Sequence, residues 1–105
     1  MPATEPLTII VITTAVPGQE QKLRAVQETL VAETLAEPGC LRYELHQSLE
    51  DGRVLIFVES WASEPAWRAH LDGDAIRHFK ANGAGQLIAS STLYQMKCVA
   101  GAAPA

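Results

Sequence analysis

The chain has few of the residues that mark disulfide-rich, metal-binding, membrane or nucleic-acid-binding proteins. Two cysteines in 105 residues are too few for a disulfide framework or a zinc site, so we expect Cys40 and Cys98 to be small buried thiols. The net charge is −4 and there is no basic cluster, so nucleic acid is not an expected partner. No apolar run approaches the roughly 20 residues that span a bilayer, so no membrane partner is expected either.

The length and the first residues bound the organisation of the chain. Residues 1–6 contain no basic region ahead of an apolar stretch, so no secretory signal is indicated and a cytoplasmic location is expected. A chain of 105 residues, 48% of them hydrophobic, is long enough for one core. We therefore expect a single domain over 1–105, with a core from about 7 to 99 and flexible tails at 1–6 and 100–105.

Hydrophobic periodicity divides the chain into six elements. The expected strands are 7–16, 40–49, 53–61 and about 86–99, and the expected helices are 19–36 and 63–81, the second interrupted at 72–74. The buried stripe of the first helix is expected to contain Leu23, Val26, Leu30, Val31 and Leu35. The order strand, helix, strand, strand, helix, strand is the split βαβ pattern, so the predicted fold class is α+β, ferredoxin-like, with an antiparallel sheet.

The predicted strands are apolar on both faces. Because side chains alternate along a strand, the third strand presents two sets of residues, Leu55, Phe57, Glu59 and Trp61 on one face and Val54, Ile56 and Val58 on the other. The helices of this fold cover one face of the sheet only. Burial of the second face is worth about 25 cal/mol per Å², so a homodimer through the sheet face is the simplest closed arrangement.

Two polar side chains stand out because their surroundings in the sequence are apolar. The carboxylate of Glu59 on such a strand needs a hydrogen-bond partner or a shifted pKa, which makes it a structural anchor or a working acid or base. His70 is the candidate base, since imidazole titrates near neutral pH and His70 shares a helical face with Trp67. The alternative is a buried histidine hydrogen-bonded to Glu59, which would tie the helix to the strand.

Four short segments occur in a defined order and spacing: PGCLRYEL at 38–45, VESW at 58–61, AHL at 69–71 and HF at 78–79. Together they resemble the antibiotic biosynthesis monooxygenase family, specifically its quinol-monooxygenase-like branch within the dimeric α+β barrel superfamily. The resemblance extends over nearly the whole chain, from about Thr8 to Met96. It implies the same barrel fold and a homodimer.

The resemblance also implies a cavity between the sheet and the second helix that holds a flat phenolic, quinol or polyketide aromatic. Some members oxidise such substrates with molecular oxygen and without metal, flavin or haem, because an electron-rich phenolate can pass an electron to oxygen. The protein then supplies a base and excludes water. The expected function is a cofactor-independent monooxygenase acting on a quinol or related phenol. A non-catalytic binding protein for a small aromatic ligand and an isomerase of a small oxygenated metabolite are the alternatives.

The resemblance assigns roles to the candidate residues. His70 would be the catalytic base, and Glu59 would orient it or stabilise its charge. The substrate-binding residues would be Trp61, Trp67, His78, Phe79 and Phe57. The two tryptophans would serve as aromatic walls, or they would belong to the core and close the cavity. His78 would face the ligand from a lid, or lie solvated on the surface.

The sequence differs from two other branches of the family, and these differences narrow the range of expected activities. Phe57 stands where the polyketide-oxidising members have a strand asparagine. In the haem-degrading branch the first strand carries an asparagine, which is missing here, and Lys80 falls where that branch has its iron-ligating histidine. Haem degradation is therefore not expected, and neither a cofactor nor a metal is predicted.

Overall fold

The computed structural model of the protein describes residues 5–101, so most of the tail residues that were predicted to be flexible lie outside it. The elements are β1 (Leu7–Ala15), α1 (Glu20–Thr34), β2 (Cys40–Gln47), β3 (Val54–Trp61), α2 (Glu64–Leu71), α3 (Asp74–Ala81), α4 (Ala84–Leu87) and β4 (Ile88–Met96). The strands form one antiparallel sheet in the order β2-β3-β1-β4. The predicted ferredoxin-like α+β class is confirmed.

The core lies between one face of the sheet and the helices. The odd-numbered residues of β3 and β1 point into it, as the alternation of side chains predicts. The main cluster of buried residues is made of Leu7, Ile9, Leu30, Tyr43, Phe57, Trp61, Trp67 and Ala75. A smaller cluster around Ala15, Leu23 and Leu55 closes the other end of the sheet.

The buried stripe of α1 is more polar than predicted. Leu23 and Leu30 are buried as expected, but Gln27 and Thr34 occupy buried positions on the same stripe. Leu35, which was predicted to be buried, is 56% exposed because the helix ends at Thr34 and the chain turns away. The side-chain amide of Gln27 donates to the Thr13 hydroxyl at 3.0 Å and so ties the helix to β1.

The turn between α1 and β2 lies against the second helical segment. Gly39 has a φ of +81°, and a Cβ atom at this position would lie 2.6 Å from the Cβ of Ala66. Glycine is therefore needed both for the left-handed backbone and for the close approach. The Gly39 carbonyl accepts the N–H of Ala62 at 2.8 Å, which fixes the turn beside the start of α2.

The predicted interruption of the second helix is confirmed. Ser63 caps α2, since its Oγ accepts the N–H of Ala66 at 3.2 Å, and Pro65 lies in the first turn, where its missing N–H costs nothing. The helix stops at Leu71 and α3 begins at Asp74. The chain thus turns at 72–73 while staying on the same side of the sheet.

The end of the described chain differs from prediction in two respects. A short helix, α4, precedes the last strand, which begins at Ile88 rather than near residue 86 and ends at Met96. The cysteines are not both buried: Cys40 is half-buried and Cys98 is exposed, since it lies beyond β4.

No helix within residues 5–101 has the length and apolar character needed to cross a membrane.

Candidate functional site

An open cleft of about 900 Å³ lies between the end of α1, the turn that follows it, and the helices α2 and α3. Its apolar walls are built mainly from small residues, including Pro38, Ala62, Ala66, Ala69 and Ala75. Its polar groups are Glu33, Glu37, Ser63, His70, Asp74 and His78. The small side chains leave space for a ligand, and the polar side chains can exchange protons or form hydrogen bonds with it.

His70 is the most buried of these polar groups and is held by Glu37. Its Nδ1 lies 2.9 Å from Oε1 of Glu37, with the two side chains 2% and 22% exposed. Because a carboxylate only accepts hydrogen bonds, Nδ1 carries the proton in this pair. Burial lowers the pKa of His70, while the charge and hydrogen bond of Glu37 act in the opposite direction. The neutral ring therefore keeps a lone pair on Nε2.

Aromatic contacts fix the plane of the His70 ring. The indole of Trp61 lies at a centroid distance of 4.8 Å with the two planes 33° apart, and the phenol ring of Tyr43 meets the imidazole edge-on at 5.4 Å. With Glu37 bound on one side and two rings packed against it, the imidazole has little freedom to rotate.

Glu59 is buried behind this group and bonds Trp61, not His70. Its Oε1 accepts the indole N–H of Trp61 at 2.9 Å. Burial raises the pKa of Glu59 to about 7, although the bond from Trp61 opposes the shift. The predicted hydrogen bond between Glu59 and His70 is therefore wrong, since each of them pairs with a different residue. Trp61 links them, because its indole N–H bonds Glu59 and its ring packs on His70.

The other predicted site residues divide into two groups. His78 is exposed at the cleft, where its Nδ1 lies 2.9 Å from Oε1 of Glu33. The remaining side chains fill the space between the sheet and the helices: Phe57, Trp61 and Trp67 are buried, and Phe79 packs against them half-buried. The cleft is consequently lined by His70 and His78 of the predicted set, and the aromatic side chains support it from inside.

Sequence reasoning missed Glu37 and Glu33. Glu33 lies in the last turn of α1 and Glu37 lies in the turn that follows this helix, and each bonds a histidine more than 30 residues further along the chain. A pair of carboxylates at this spacing, immediately before the Pro38–Gly39 turn, was visible in the sequence. What the sequence did not reveal was which histidines they would meet.

Four of the five ionisable groups of the cleft form two histidine–glutamate pairs, and the fifth, Asp74, is paired with Arg77. Within residues 5–101 no set of three or more His, Cys, Asp or Glu side chains is close enough together to hold a metal ion. Each pair consists of one donor and one acceptor, an arrangement that suits proton transfer and recognition of polar ligand groups.

Residues 6–82 match the model of the Antibiotic biosynthesis monooxygenase family. The chain therefore belongs to this family, as the sequence segments at 38–45 and 58–61 indicated.

Individual relatives agree with this assignment. The curated Mycobacterium tuberculosis protein named "Putative monooxygenase Rv0793" is 28% identical over 85 residues, which cover 81% of this chain and 82% of that protein. Among solved structures, PA3566 from Pseudomonas aeruginosa has 31% identity and a TM-score of 0.86, covering 95% of this chain and 100% of the other. SO0527 from Shewanella oneidensis has 27% identity and a TM-score of 0.82, with 89% and 90% covered.

Proposed function

We propose that the protein is a cofactor-independent monooxygenase that oxidises a quinol or related phenol with molecular oxygen. Family membership and the name of the Mycobacterium tuberculosis relative support monooxygenase-like chemistry. The observation that carries the proposal is the buried imidazole of His70. It is oriented by Glu37, has its Nε2 free of hydrogen bonds to the described residues, and lines a cleft large enough for an aromatic ring.

In this proposal His70 acts as the general base. Nε2 accepts the proton of a phenolic hydroxyl, and the resulting phenolate is electron-rich enough to react with oxygen. Glu37 stabilises the imidazolium that forms, because its carboxylate lies 2.9 Å from Nδ1. Overall, a quinol and O₂ give a hydroxyquinone and water: one oxygen atom replaces a ring hydrogen, and four electrons pass from the substrate to O₂.

Glu59 has a positioning role in this proposal. Its bond to the Trp61 indole orients the ring on which His70 packs, and its buried position places it behind Trp61 instead of in the cleft. Loss of this bond would loosen the imidazole without removing the base. Trp67 and Phe57 support the same wall from the core.

The first test is oxygen uptake by the metal-stripped protein with a panel of quinols and hydroxylated aromatics. We expect saturable uptake with one substrate class, incorporation of one labelled oxygen atom into the product, and loss of turnover in His70→Gln, which keeps the size of the side chain but not its basicity. His46→Gln is the matched control, because His46 is exposed and lies outside the lining of the cleft.

The other outcomes identify the alternatives. Conversion of a substrate in the absence of oxygen would replace the oxygenase proposal with an isomerase that uses the same base. Saturable binding without any conversion would indicate a binding protein. Unchanged turnover in His70→Gln would show that His70 is not the base.

We further propose that the protein forms a homodimer through the sheet face opposite the helices. The even-numbered residues of the sheet form this open face, among them Ile10, Ile12, Ile56, Val58, Tyr94 and Met96. Tyr94 and Met96 are about half exposed, and the central residues are half-buried without helices above them. Sedimentation equilibrium should give a dimer that Ile12→Glu converts to monomer, and a monomeric parent protein would refute the proposal.

A further inference from the structure

We infer that Trp61 is a redox-active side chain, which gives one electron to an organic peroxyl radical in the cleft and passes its indole proton to Glu59. The inference goes beyond the proposed function, in which Trp61 and Glu59 only position His70. It rests on that proposal for one point, the source of the radical, because a substrate radical that escapes the reaction and adds oxygen becomes a peroxyl radical.

The indole of Trp61 has a base at its N–H. The side chain is fully buried, and the N–H donates to Oε1 of Glu59 at 2.9 Å. Burial raises the pKa of Glu59 to about 7, so its carboxylate takes up a proton more readily than an exposed one does. Loss of an electron makes an indole N–H strongly acidic. The proton that Trp61 would then lose is already bonded to its acceptor.

His70 connects this indole to the cleft. Its imidazole is among the groups that line the cleft, and its ring centroid lies 4.8 Å from that of Trp61 with the two planes 33° apart. Glu37 holds the imidazole in place on its other side. An electron crosses such a short gap between packed rings readily, so an oxidant in the cleft does not need to touch Trp61.

The second tryptophan has the opposite surroundings. Trp67 is almost as buried as Trp61, but the guanidinium carbon of Arg68 lies 5.3 Å from the centroid of its ring. The electrons of the ring attract the cation, and the cation in turn opposes the loss of an electron. Glu64, a carboxylate of the same helix, bonds Arg68. Trp61 is therefore the more easily oxidised of the two tryptophans.

Tyr43 is the other oxidisable side chain beside Trp61, with a distance of 6.2 Å between the ring centroids. A phenol loses its proton when it is oxidised. Burial and the nearby charge of Glu59 raise the pKa of Tyr43, so its proton is held more firmly than usual. The oxidised state should therefore stay on Trp61.

The proposed step transfers one electron and one proton from the indole. The peroxyl radical takes the electron from Trp61 and a proton from water, so it becomes a hydroperoxide and leaves hydroxide. The indole N–H proton passes to the carboxylate of Glu59. The protein is left with a neutral tryptophan radical beside a neutral carboxylic acid, so the step creates no new charge in the core.

The test exposes the wild-type protein, above neutral pH and without substrate, to alkylperoxyl radicals from a water-soluble azo initiator in air. Exposure is kept short, so that only a small fraction of the chains is modified, and tandem mass spectrometry of peptides locates the oxidised tryptophan. We expect oxidation at Trp61 to exceed that at Trp67 by at least about tenfold, the factor that corresponds to about 1.4 kcal/mol. Burial alone would favour Trp67, which is 4% exposed against 0% for Trp61.

Three variants show whether the surroundings of the rings cause this preference. Glu59→Gln keeps an oxygen that accepts the indole N–H but cannot take up its proton, so the preference for Trp61 should disappear. Glu28→Gln alters an exposed carboxylate outside the cleft and should keep the preference. Arg68→Gln should increase oxidation at Trp67 and leave oxidation at Trp61 unchanged.

Equal oxidation of the two tryptophans, preferential oxidation of Trp67, or no oxidation of either would overturn the inference. An unchanged preference in Glu59→Gln would also overturn it, because Glu59 would then not be the proton acceptor. The oxygenase proposal is tested separately by oxygen uptake with a substrate. Absence of uptake together with preferential oxidation of Trp61 would reject the oxygenase and keep the redox role of Trp61.

Discussion

The two histidine–glutamate pairs of the cleft have the same geometry but opposite surroundings. Both join Nδ1 of the imidazole to Oε1 of the carboxylate at 2.9 Å. In the His70–Glu37 pair the side chains are 2% and 22% exposed, and in the His78–Glu33 pair they are 61% and 36% exposed. The two pairs therefore contain the same chemical groups and differ in their exposure to solvent.

From this comparison we expect burial, more than pairing itself, to determine how much each pair contributes to stability. Water screens the exposed pair and competes for its hydrogen bonds, so it contributes little to stability. Water competes less for the buried pair, and His70 also packs on Trp61 and Tyr43. Removal of one member of the buried pair therefore costs packing as well as a hydrogen bond.

The largest effect is expected from His70→Ala. The substitution leaves a cavity beside Trp61 and deprives Glu37 of its partner, so the free energy of unfolding should fall by roughly 3 to 4 kcal/mol. Urea denaturation followed by far-UV circular dichroism measures this directly. A loss no larger than that of His78→Ala would contradict the role assigned to burial.

A second large effect concerns the pH dependence that burial imposes on Glu59. Its pKa is raised from 4.5 to about 7, so the folded state favours the neutral carboxyl. The stability it contributes is present below the unfolded pKa and is lost as the pH rises through about 7, a change of up to about 3 kcal/mol.

Glu59→Gln should abolish this decrease in stability with rising pH. His70 acts with the opposite sign, because burial lowers its pKa and its contribution is lost as the pH falls below its ordinary value. Urea denaturation at a series of pH values should therefore show a flatter or reversed slope in the variant. An unchanged slope would show that Glu59 is not the group responsible.

A third substitution should separate Glu37 from His70 by displacing the backbone of the turn between α1 and β2. Gly39→Ala forces a side chain into the left-handed region and against Ala66, displacing the turn that carries Glu37, and should cost about 2 to 3 kcal/mol. Gly18→Ala is the matched control, since Gly18 has a similar φ of +84° and a Cβ atom added there would meet no described atom within 4 Å beyond its chain neighbours. It should cost about 1 kcal/mol, and equal losses would refute the close contact at Ala66.

The smallest effect is expected at the exposed pair. His78→Ala should change the free energy of unfolding by less than about 0.5 kcal/mol, because a solvated pair is screened and its side chains give up conformational freedom to form it. Any measured difference should shrink further in high salt. A loss above about 1 kcal/mol, persisting in salt, would mean that the exposed pair is also a structural tie.

Local patterns predicted most of the fold. The alternation in 53–61 placed Glu59 and Trp61 on the core face, and Ser63 and the turn at 72–73 set the limits of α2 and α3. The site was predicted less well because its pairs are not local. Glu37 meets His70 only because Gly39 allows the turn to lie against Ala66, a fit that depends on the packed structure. Glu59 was assigned to His70, although Trp61, two residues away on the same strand, was the nearer donor.

The pairing of β1 has a consequence for the order in which the protein can be built. The central strand β1 bonds to β3 on one side and to β4 on the other, and Thr8 lies opposite Met96. During synthesis, one edge of the first strand therefore stays unpaired until β4 has emerged from the ribosome. An exposed strand edge can pair with other chains, so the nascent protein stays open to aggregation at this edge until β4 is in place.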